Sequence, residues 1–459
     1  MATVLTVAPL ELERTSRIDP EYYLPDYQDL EDRLKRLKAS PLTDVAKVSD
    51  GNHASISKHF TSSGVRYLRG QDINDFFISA GSPVYLPLKT YNSAPMLRSH
   101  MQPLDVLVSI VGTIGAVALL PADAGPVTGS CKIAILRSRT VDPYYLAAFL
   151  LSRYGQMQMR RLTRGALQMG LILDDFDQIK VPTPSPELVE LVTSRIEMAQ
   201  AERRSADKAF GSTVKSSLVQ LNLADSPSNY GANHLSLERS KVRSIGRLDP
   251  EFFLAREHHD LRERISSNMG TLDEVCDRIA SGVTPAKEEY TTQGVPILKV
   301  EGLDSIGTAR HTDGFVSAEW AARNPKAAVQ AGDVLMLSAA HAASYIGKSG
   351  VVVDELPAEA RVVAELINLR STTVPPEALA IYLNLPPVRS HVRGLIRGST
   401  AHLYPRDLKQ VPVPDLTGDL GEELTFGFQE SHKRQRSART LLQEAVTAVE
   451  IELDALSDI

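Results

Sequence analysis

The sequence predicts an α+β chain: two β-rich domains related by an internal repeat, separated by two long antiparallel coiled-coil helices. Three observations predict it. Blocks of residues recur in the same order at a nearly constant offset. The blocks sit among short apolar runs broken by Gly and Pro, the pattern of many short strands. Each block set is followed by a long run with apolar residues at steps of three and four.

The repeat is the strongest signal, because self-similarity at a fixed period marks a duplicated architecture. Arg17-Ile-Asp-Pro-Glu-Tyr-Tyr-Leu24 returns as Arg247-Leu-Asp-Pro-Glu-Phe-Phe-Leu254, an offset of 230. Tyr67-Leu-Arg-Gly-Gln-Asp-Ile73 answers Ile297-Leu-Lys-Val-Glu-Gly-Leu303. Gln102-Pro-Leu-Asp-Val-Leu107 answers Gln330-Ala-Gly-Asp-Val-Leu335. Pro143-Tyr-Tyr-Leu-Ala-Ala-Phe-Leu150 answers Pro376-Glu-Ala-Leu-Ala-Ile-Tyr-Leu383, and Phe176-Asp-Gln-Ile-Lys-Val-Pro182 answers Leu408-Lys-Gln-Val-Pro-Val-Pro414. Offsets between 228 and 233 are what small loop insertions produce.

The elements follow in order. Residues 1–184 form a first β-rich domain with an N-terminal lead-in, its globular part spanning 42–184. Within it, Val106 to Leu120 is apolar but broken by Ser109, Gly112, Thr113 and Gly115, so it reads as strand, turn, strand. Residues 185–223 form the first long helix. Ser185-Pro186-Glu187 supplies an N-cap, a first-turn proline and an acid suited to the helix dipole. Its stripe runs through Val189, Val192, Ile196, Ala199, Ala206, Phe210, Val214, Leu218 and Leu221, with Arg203 interrupting. Residues 224–246 are a linker that begins Ala224-Asp-Ser-Pro-Ser-Asn-Tyr-Gly-Ala-Asn233. Residues 247–414 form the second β-rich domain, with its globular part at 272–414. Residues 415–459 form the second long helix, striped through Leu424, Phe428, Ala438, Leu442, Ala445, Val449, Leu453 and Leu456, with Ser431 and Gln435 interrupting. The two lobes should share one fold, with the helices packed antiparallel.

Composition narrows the function. The 459 residues carry 50 Lys and Arg against 56 Asp and Glu, a formal charge of −6, so coating nucleic acid by bulk charge is excluded. Two cysteines, Cys131 and Cys276, exclude a disulfide framework and a Cys-rich metal site. The N-terminus lacks a secretory pattern and no apolar run reaches the roughly 20 residues of a membrane helix, so a cytoplasmic protein is expected.

Catalytic motifs are sparse. Ala342-Ala-Ser-Tyr-Ile-Gly-Lys-Ser349 loosely matches a phosphate loop, but Gly350-Val-Val-Val353 follows as a strand where a helix is required. It reads as a hairpin turn. The Pro-Pro pairs, Val374-Pro-Pro-Glu377 and Leu385-Pro-Pro-Val388, do not form the loop with which amino-methyltransferases grip a flipped base. No His pair has zinc spacing, and no Gly-rich dinucleotide loop follows a strand. The expectation is a chain with no catalytic residue, cofactor or metal ion of its own.

Basic residues gather at one aligned place in each half. Arg153, Arg160, Arg161 and Arg164 lie in a stretch with no acid before Asp174; Arg389, Arg393 and Arg397 lie between Glu377 and Asp407. Arg160/Arg164 and Arg393/Arg397 align at an offset of 233, each pair at i,i+4, the spacing of one helix face. Gly165 and Gly398 read as helix stops, followed by small polar loops, Ala166-Leu-Gln168 and Ser399-Thr-Ala-His402. Basic helix ends beside such loops suit phosphate and base-edge contacts; a salt-bridged surface helix would show the same spacing. Candidate DNA-contacting residues are thus Arg160, Arg164, Gln168, Arg393, Arg397, Ser399, Thr400 and His402, joined by Lys58, His59, Arg69, Lys287, Lys299 and Arg310 on expected loops and strand ends. The globular parts differ in charge: 42–184 has 14 basic and 10 acidic residues, 272–414 has 14 and 16. The second must bind through a local patch.

This layout resembles the DNA-specificity (S) subunit of a type I restriction–modification system. The resemblance covers nearly the whole chain. It rests on the duplicated order, the Arg-hydrophobic-Asp-Pro-Glu-aromatic opening, Ser281-Gly-Val-Thr-Pro285, and Gly398-Ser-Thr-Ala-His-Leu-Tyr-Pro-Arg-Asp-Leu-Lys-Gln-Val-Pro-Val-Pro414. The first repeat departs, with Gly165-Ala166 for Gly-Ser and Asp50-Gly51-Asn52 for the Ser-Gly-x-Thr-Pro turn. The resemblance implies two target-recognition domains, each reading one half of a bipartite, non-palindromic target in double-stranded DNA. It implies helices that space them and dock two methyltransferase (M) subunits, which carry S-adenosylmethionine, and restriction (R) subunits joining the assembled complex. A pseudo-dimeric protein-interaction scaffold, or the specificity subunit of a related two-subunit phage-defence methyltransferase, are the other functions compatible with the layout.

Overall fold

The computed structural model describes residues 6–15, 17–73, 76–78, 83–165, 169–224, 238–245, 248, 252–253, 261–265, 269–304, 307–340, 343–353, 356, 360–398 and 401–457. The chain divides into two units, Met1–Arg204 with Gln435–Ile459, and Ser205–Arg434. The expected linker lies outside the described residues from 225 to 237.

In the first unit the run from Val106 folds as its glycines dictate. Val106–Ser109 pairs antiparallel with Val117–Leu119 across a turn where Gly112 and Gly115 adopt positive φ, a region open to glycine. The sheet runs Ala46–Asp50, Ile133–Ser138, Val106–Ser109, Val117–Leu119. A second sheet runs Val84–Leu86, Val65–Leu68, Val127–Gly129, His100–Met101, with Val65–Leu68 parallel to Val127–Gly129. Pro143–Leu151 is apolar all round and buries Tyr144 to Leu150 in the core, as such a helix must. The Asp142 carboxylate caps it, accepting from the Tyr144 and Tyr145 amides at 2.9 and 3.1 Å.

The second unit repeats this plan. Its main sheet runs Arg278–Ser281, Leu366–Arg370, Val334–Leu337, Ser349–Val352, then adds Thr308–Ala309 at the edge. Its other sheet runs Tyr290–Thr291, Phe315–Val316, Val295–Leu298, Arg361–Val362, again with a parallel pair, Val295–Leu298 beside Arg361–Val362. Val334–Leu337 and Ser349–Val352 are antiparallel, so the segment resembling a phosphate loop is a hairpin connection.

The repeated blocks now have physical reasons. In Gln-x-x-Asp-Val-Leu, buried Asp105 accepts two bonds from Arg137, at 2.8 and 2.7 Å, and one from the Gln102 amide. Asp333 does the same with Arg370, at 2.6 and 2.7 Å, and with the Gln330 amide. A buried carboxylate needs this full set of donors. Gly51 and Gly282 fill one role: a Cβ would lie 2.3 Å from the Ser130 carbonyl oxygen or 2.1 Å from that of Val362.

The long helices span Pro186–Gln220 and Asp419–Ser457. Ser185 caps the first, its hydroxyl accepting from the Leu188 amide at 3.1 Å. In the first unit Val192, Ile196 and Ala199 share a core with Ala438, Ala445, Val449 and Leu453. Ser185 bonds Glu452, and Arg195 meets Glu444 at 2.9 Å, so the segments run antiparallel. In the second unit Phe210, Val214 and Leu218 pack with Leu424 and Phe428. Two of the polar breaks in the stripes have specific partners. Ser431 donates to the Ala206 carbonyl at 2.9 Å, and Arg203 lies over the Phe77 ring at 5.6 Å.

Candidate nucleic-acid interface

Each arginine pair sits where a helix stops, and the stop comes earlier than the sequence spacing implies. The first helix is Arg153–Leu162 and the second Pro386–Arg393, so Arg164 and Arg397 lie beyond their helices and do not share a helix face with Arg160 and Arg393. In the first unit the cause is distant in sequence. Buried Arg17 donates to the Leu162 and Thr163 carbonyl oxygens at 3.5 and 3.2 Å, satisfying groups that the helix end leaves open. Asp19 holds that guanidinium with two bonds, at 2.7 and 2.6 Å, which keep the Asp19 carboxyl below its usual range. In the first repeat Arg17 and Asp19 of this opening are therefore a clamp on the helix end.

After each helix the chain makes a short closed loop. Arg164 and Gly170 exchange backbone bonds of 2.9 and 2.8 Å; Arg397 and His402 exchange bonds of 2.9 and 3.2 Å. Gly165 and Gly398 turn the loops with φ of 116° and 81°. An aspartate anchors each arginine. Arg164 Nη2 meets Asp175 Oδ1 at 2.5 Å, and Arg397 forks onto Asp407 at 2.8 and 2.7 Å. Each loop also borders the hairpin of its main sheet, through bridges from Val111 to Gly170 and from Ala339 to His402.

The other candidates divide by engagement. Arg160 is exposed and Arg393 half-buried, and neither has an ion-pair partner among the described residues. Arg161 is turned inward, stacked 4.3 Å over the Tyr22 ring and bonded to Glu31 at 3.0 Å. Lys58, His59 and Lys287 are exposed on short turns. Arg69 forks onto buried Asp72 at 2.9 Å in both bonds. Lys299 bonds Asp313 at 2.9 Å, and Arg310 meets His432 Nδ1 at 3.3 Å. The His402 ring stacks on Tyr404 at 6.5 Å. Gln168, Ser399 and Thr400 lie outside the described residues.

Sequence reasoning missed two features: the anchoring Asp175 and Asp407, and the hairpins brought beside the loops. The aspartates were findable, since they follow the aligned arginines by 11 and 10 residues. The hairpins were not, because the bridges join residues far apart in sequence. Among the described residues, no helix is long and apolar enough to cross a membrane, and no group of three or more His, Cys, Asp or Glu could hold a metal ion.

The fold and these loops define a duplicated α+β protein with one basic helix-end loop per repeat. No protein-family model matches the chain, and none of the curated proteins matches it. Solved structures similar to it include proteins of type I restriction–modification systems. The S subunit from M. genitalium is 12% identical, with a TM-score of 0.34, covering 91% of this chain and 94% of its own. A chain from a structure addressing assembly and conformational transition of the type I system is 17% identical, with a TM-score of 0.29, covering 91% and 95%. The HsdS subunit from Thermoanaerobacter tengcongensis is 17% identical, with a TM-score of 0.28, covering 91% and 94%.

Proposed function

We propose that the chain is the DNA-specificity subunit of a type I restriction–modification complex, acting in the cytoplasm. Each repeat reads one half of a bipartite, non-palindromic target. The observation that carries this reading is the doubled device: a basic helix end, a glycine-turned loop and an arginine–aspartate anchor at aligned positions in both repeats. A held loop beside a cation is what base reading with phosphate positioning requires. In this reading Arg160 and Arg393 meet phosphates, while Arg164 and Arg397 hold the loops that carry Gln168, Ser399, Thr400 and His402.

The long helices dock two methyltransferase subunits, which bring S-adenosylmethionine and the catalytic loop; restriction subunits join that core. The isolated chain therefore neither methylates nor cuts DNA. The test is methylome sequencing of cells with and without the gene. Loss of one methylated, two-block motif on deletion is the expected result; an unchanged methylome overturns the reading. Tight S-adenosylmethionine binding to the chain alone, by calorimetry, would contradict the division of labour.

A further inference from the structure

The second repeat carries two cations at positions where the first has neutral residues. Lys348 and Arg389 occupy positions that in the first repeat, at the offset of 233, are Gly115 and Gln156. Gln156 there simply ties the turn, donating to the Gly115 and Leu150 carbonyl oxygens at 2.9 and 2.8 Å. In the second repeat two cations take over. Lys348 Nζ donates to the Leu303 carbonyl oxygen at 2.6 Å, and Arg389 Nη2 to that of Ser344 at 2.9 Å. Arg389 Nε is buried with no hydrogen-bond partner.

The turn rests on the helix that bears Arg389. Gly347, at φ 83°, sits so close to Val392 that a Cβ would lie 3.1 Å from its Cγ1. Arg389 and Arg393 are i,i+4 on Pro386–Arg393 and repel one another. Burial pushes Lys348 down to about 8, with Arg389 adding to the fall and Asp304 opposing it. Burial and Arg393 push Arg389 down to about 10. Asp304 is itself bonded to the Thr308 amide and hydroxyl. The ion pairs found elsewhere in this repeat, such as Arg397–Asp407, have no equivalent on these three cations among the described residues.

We propose that the turn Ala343–Tyr345, with Lys348, Arg389 and Arg393, forms an anion site that takes one backbone phosphate of duplex DNA, and that the first repeat has no such site. The proposal rests on the DNA-reading function above and locates its phosphate contact. It also accounts for how a repeat with more acids than bases meets DNA. The site adjoins the candidate reading loop: the Leu403 amide donates to the Ser338 carbonyl at 2.8 Å, and Ala339 bridges His402. A phosphate held there fixes the register of that loop on its bases.

The experiment uses the full chain and a fixed duplex oligonucleotide, with affinity measured against salt and pH. The K348M variant should lower the slope of log K against log salt by about 1, the signature of one lost phosphate contact. R393Q, near the open end of the helix, should lose a similar amount without disturbing the turn. An anion raises the Lys348 pKa, so binding takes up a proton. Wild-type affinity should therefore fall as pH rises from 8 to 9.5, approaching tenfold per pH unit. K348R should keep the wild-type salt slope and lose the pH dependence. Wild-type salt slope and pH profile in K348M would overturn the site. So would inorganic phosphate raising the thermal midpoint of the wild type alone while duplex binding by K348M stays unchanged, which would assign the site to a free anion. Target-selective binding by the wild type with an unaltered K348M strikes only this proposal; a wild type that does not select any target strikes the function on which it rests.

Discussion

Arg164 and Arg397 show how one residue type divides between two tasks. Their charge is directed inward, to Asp175 and Asp407, while Arg160 and Arg393 keep theirs available. R160A and R393A should each reduce the salt slope of duplex binding by about 1. R164A and R397A should leave that slope in place and instead narrow the affinity gap between target and non-target duplex. Filter binding over a salt series separates the two effects; a salt slope unchanged in R160A and R393A would favour a mere surface helix. The sequence showed all four arginines and their alignment. It could not show that Arg17, 145 residues from Leu162, caps the first helix end, because nothing local records that contact. The buried forks are more readable, since Asp105 and Asp333 stand in a repeated block. R137A and R370A should each destabilise the chain by about 3–5 kcal/mol, because each strands a buried carboxylate. Urea unfolding measures this, and a loss below about 1 kcal/mol in either variant would contradict it.

At the scale of the element, the long helices were the most legible part of the chain. Steps of three and four located Pro186–Gln220 and Asp419–Ser457, because a packed stripe imposes the helical period on sequence. One close approach between them was not legible. A Cβ on Gly427 would stand 2.0 Å from the Thr213 hydroxyl oxygen, so the helices meet there through a missing side chain. A glycine inside a helix reads as a propensity defect of about 1 kcal/mol, and only the neighbour reveals its purpose. G427A should therefore destabilise by about 1–3 kcal/mol through overpacking, despite its better helix propensity. In a T213A background the contacts at 2.0 and 2.6 Å go and only the Cβ of residue 213, at 2.8 Å, remains, so the same substitution should cost less, by about 1 kcal/mol. A double-mutant cycle by thermal unfolding measures the coupling. Additive effects would mean that the contact does not govern helix spacing. The short strands were only roughly legible: the edge strand Thr308–Ala309 joins the main sheet of the second repeat by parallel pairing with Ser349–Val352, a partner some 40 residues away.

At the scale of the whole molecule, duplication without identity makes the strongest claim. Both repeats keep the order of four main-sheet strands, the buried Asp–Arg fork and the anchored loop, yet they differ where reading is proposed, as in Asn52-His-Ala-Ser55 against Val283-Thr-Pro-Ala286. On the proposed function, repeats that differ there call for two different blocks, so the target should not be palindromic. The scaffold should also set the distance between blocks. A helix of 35 residues is about 50 Å long at ~1.5 Å per residue, too long to let its ends serve adjacent bases. Successive major-groove faces recur every ~34–36 Å, about 10 bp, so an unread gap of several base pairs should separate the blocks. Removing one heptad from each long helix shortens each by about 10 Å and keeps the stripe in phase, since seven residues complete nearly two turns. Such a variant, assembled with its partner subunits, should methylate the same two blocks at a shorter spacing. Methylome mapping reads block identity and gap in one experiment. A heptad deletion that changes the bases recognised, or a continuous or palindromic motif in the parent, would show that the helices do not act as the ruler.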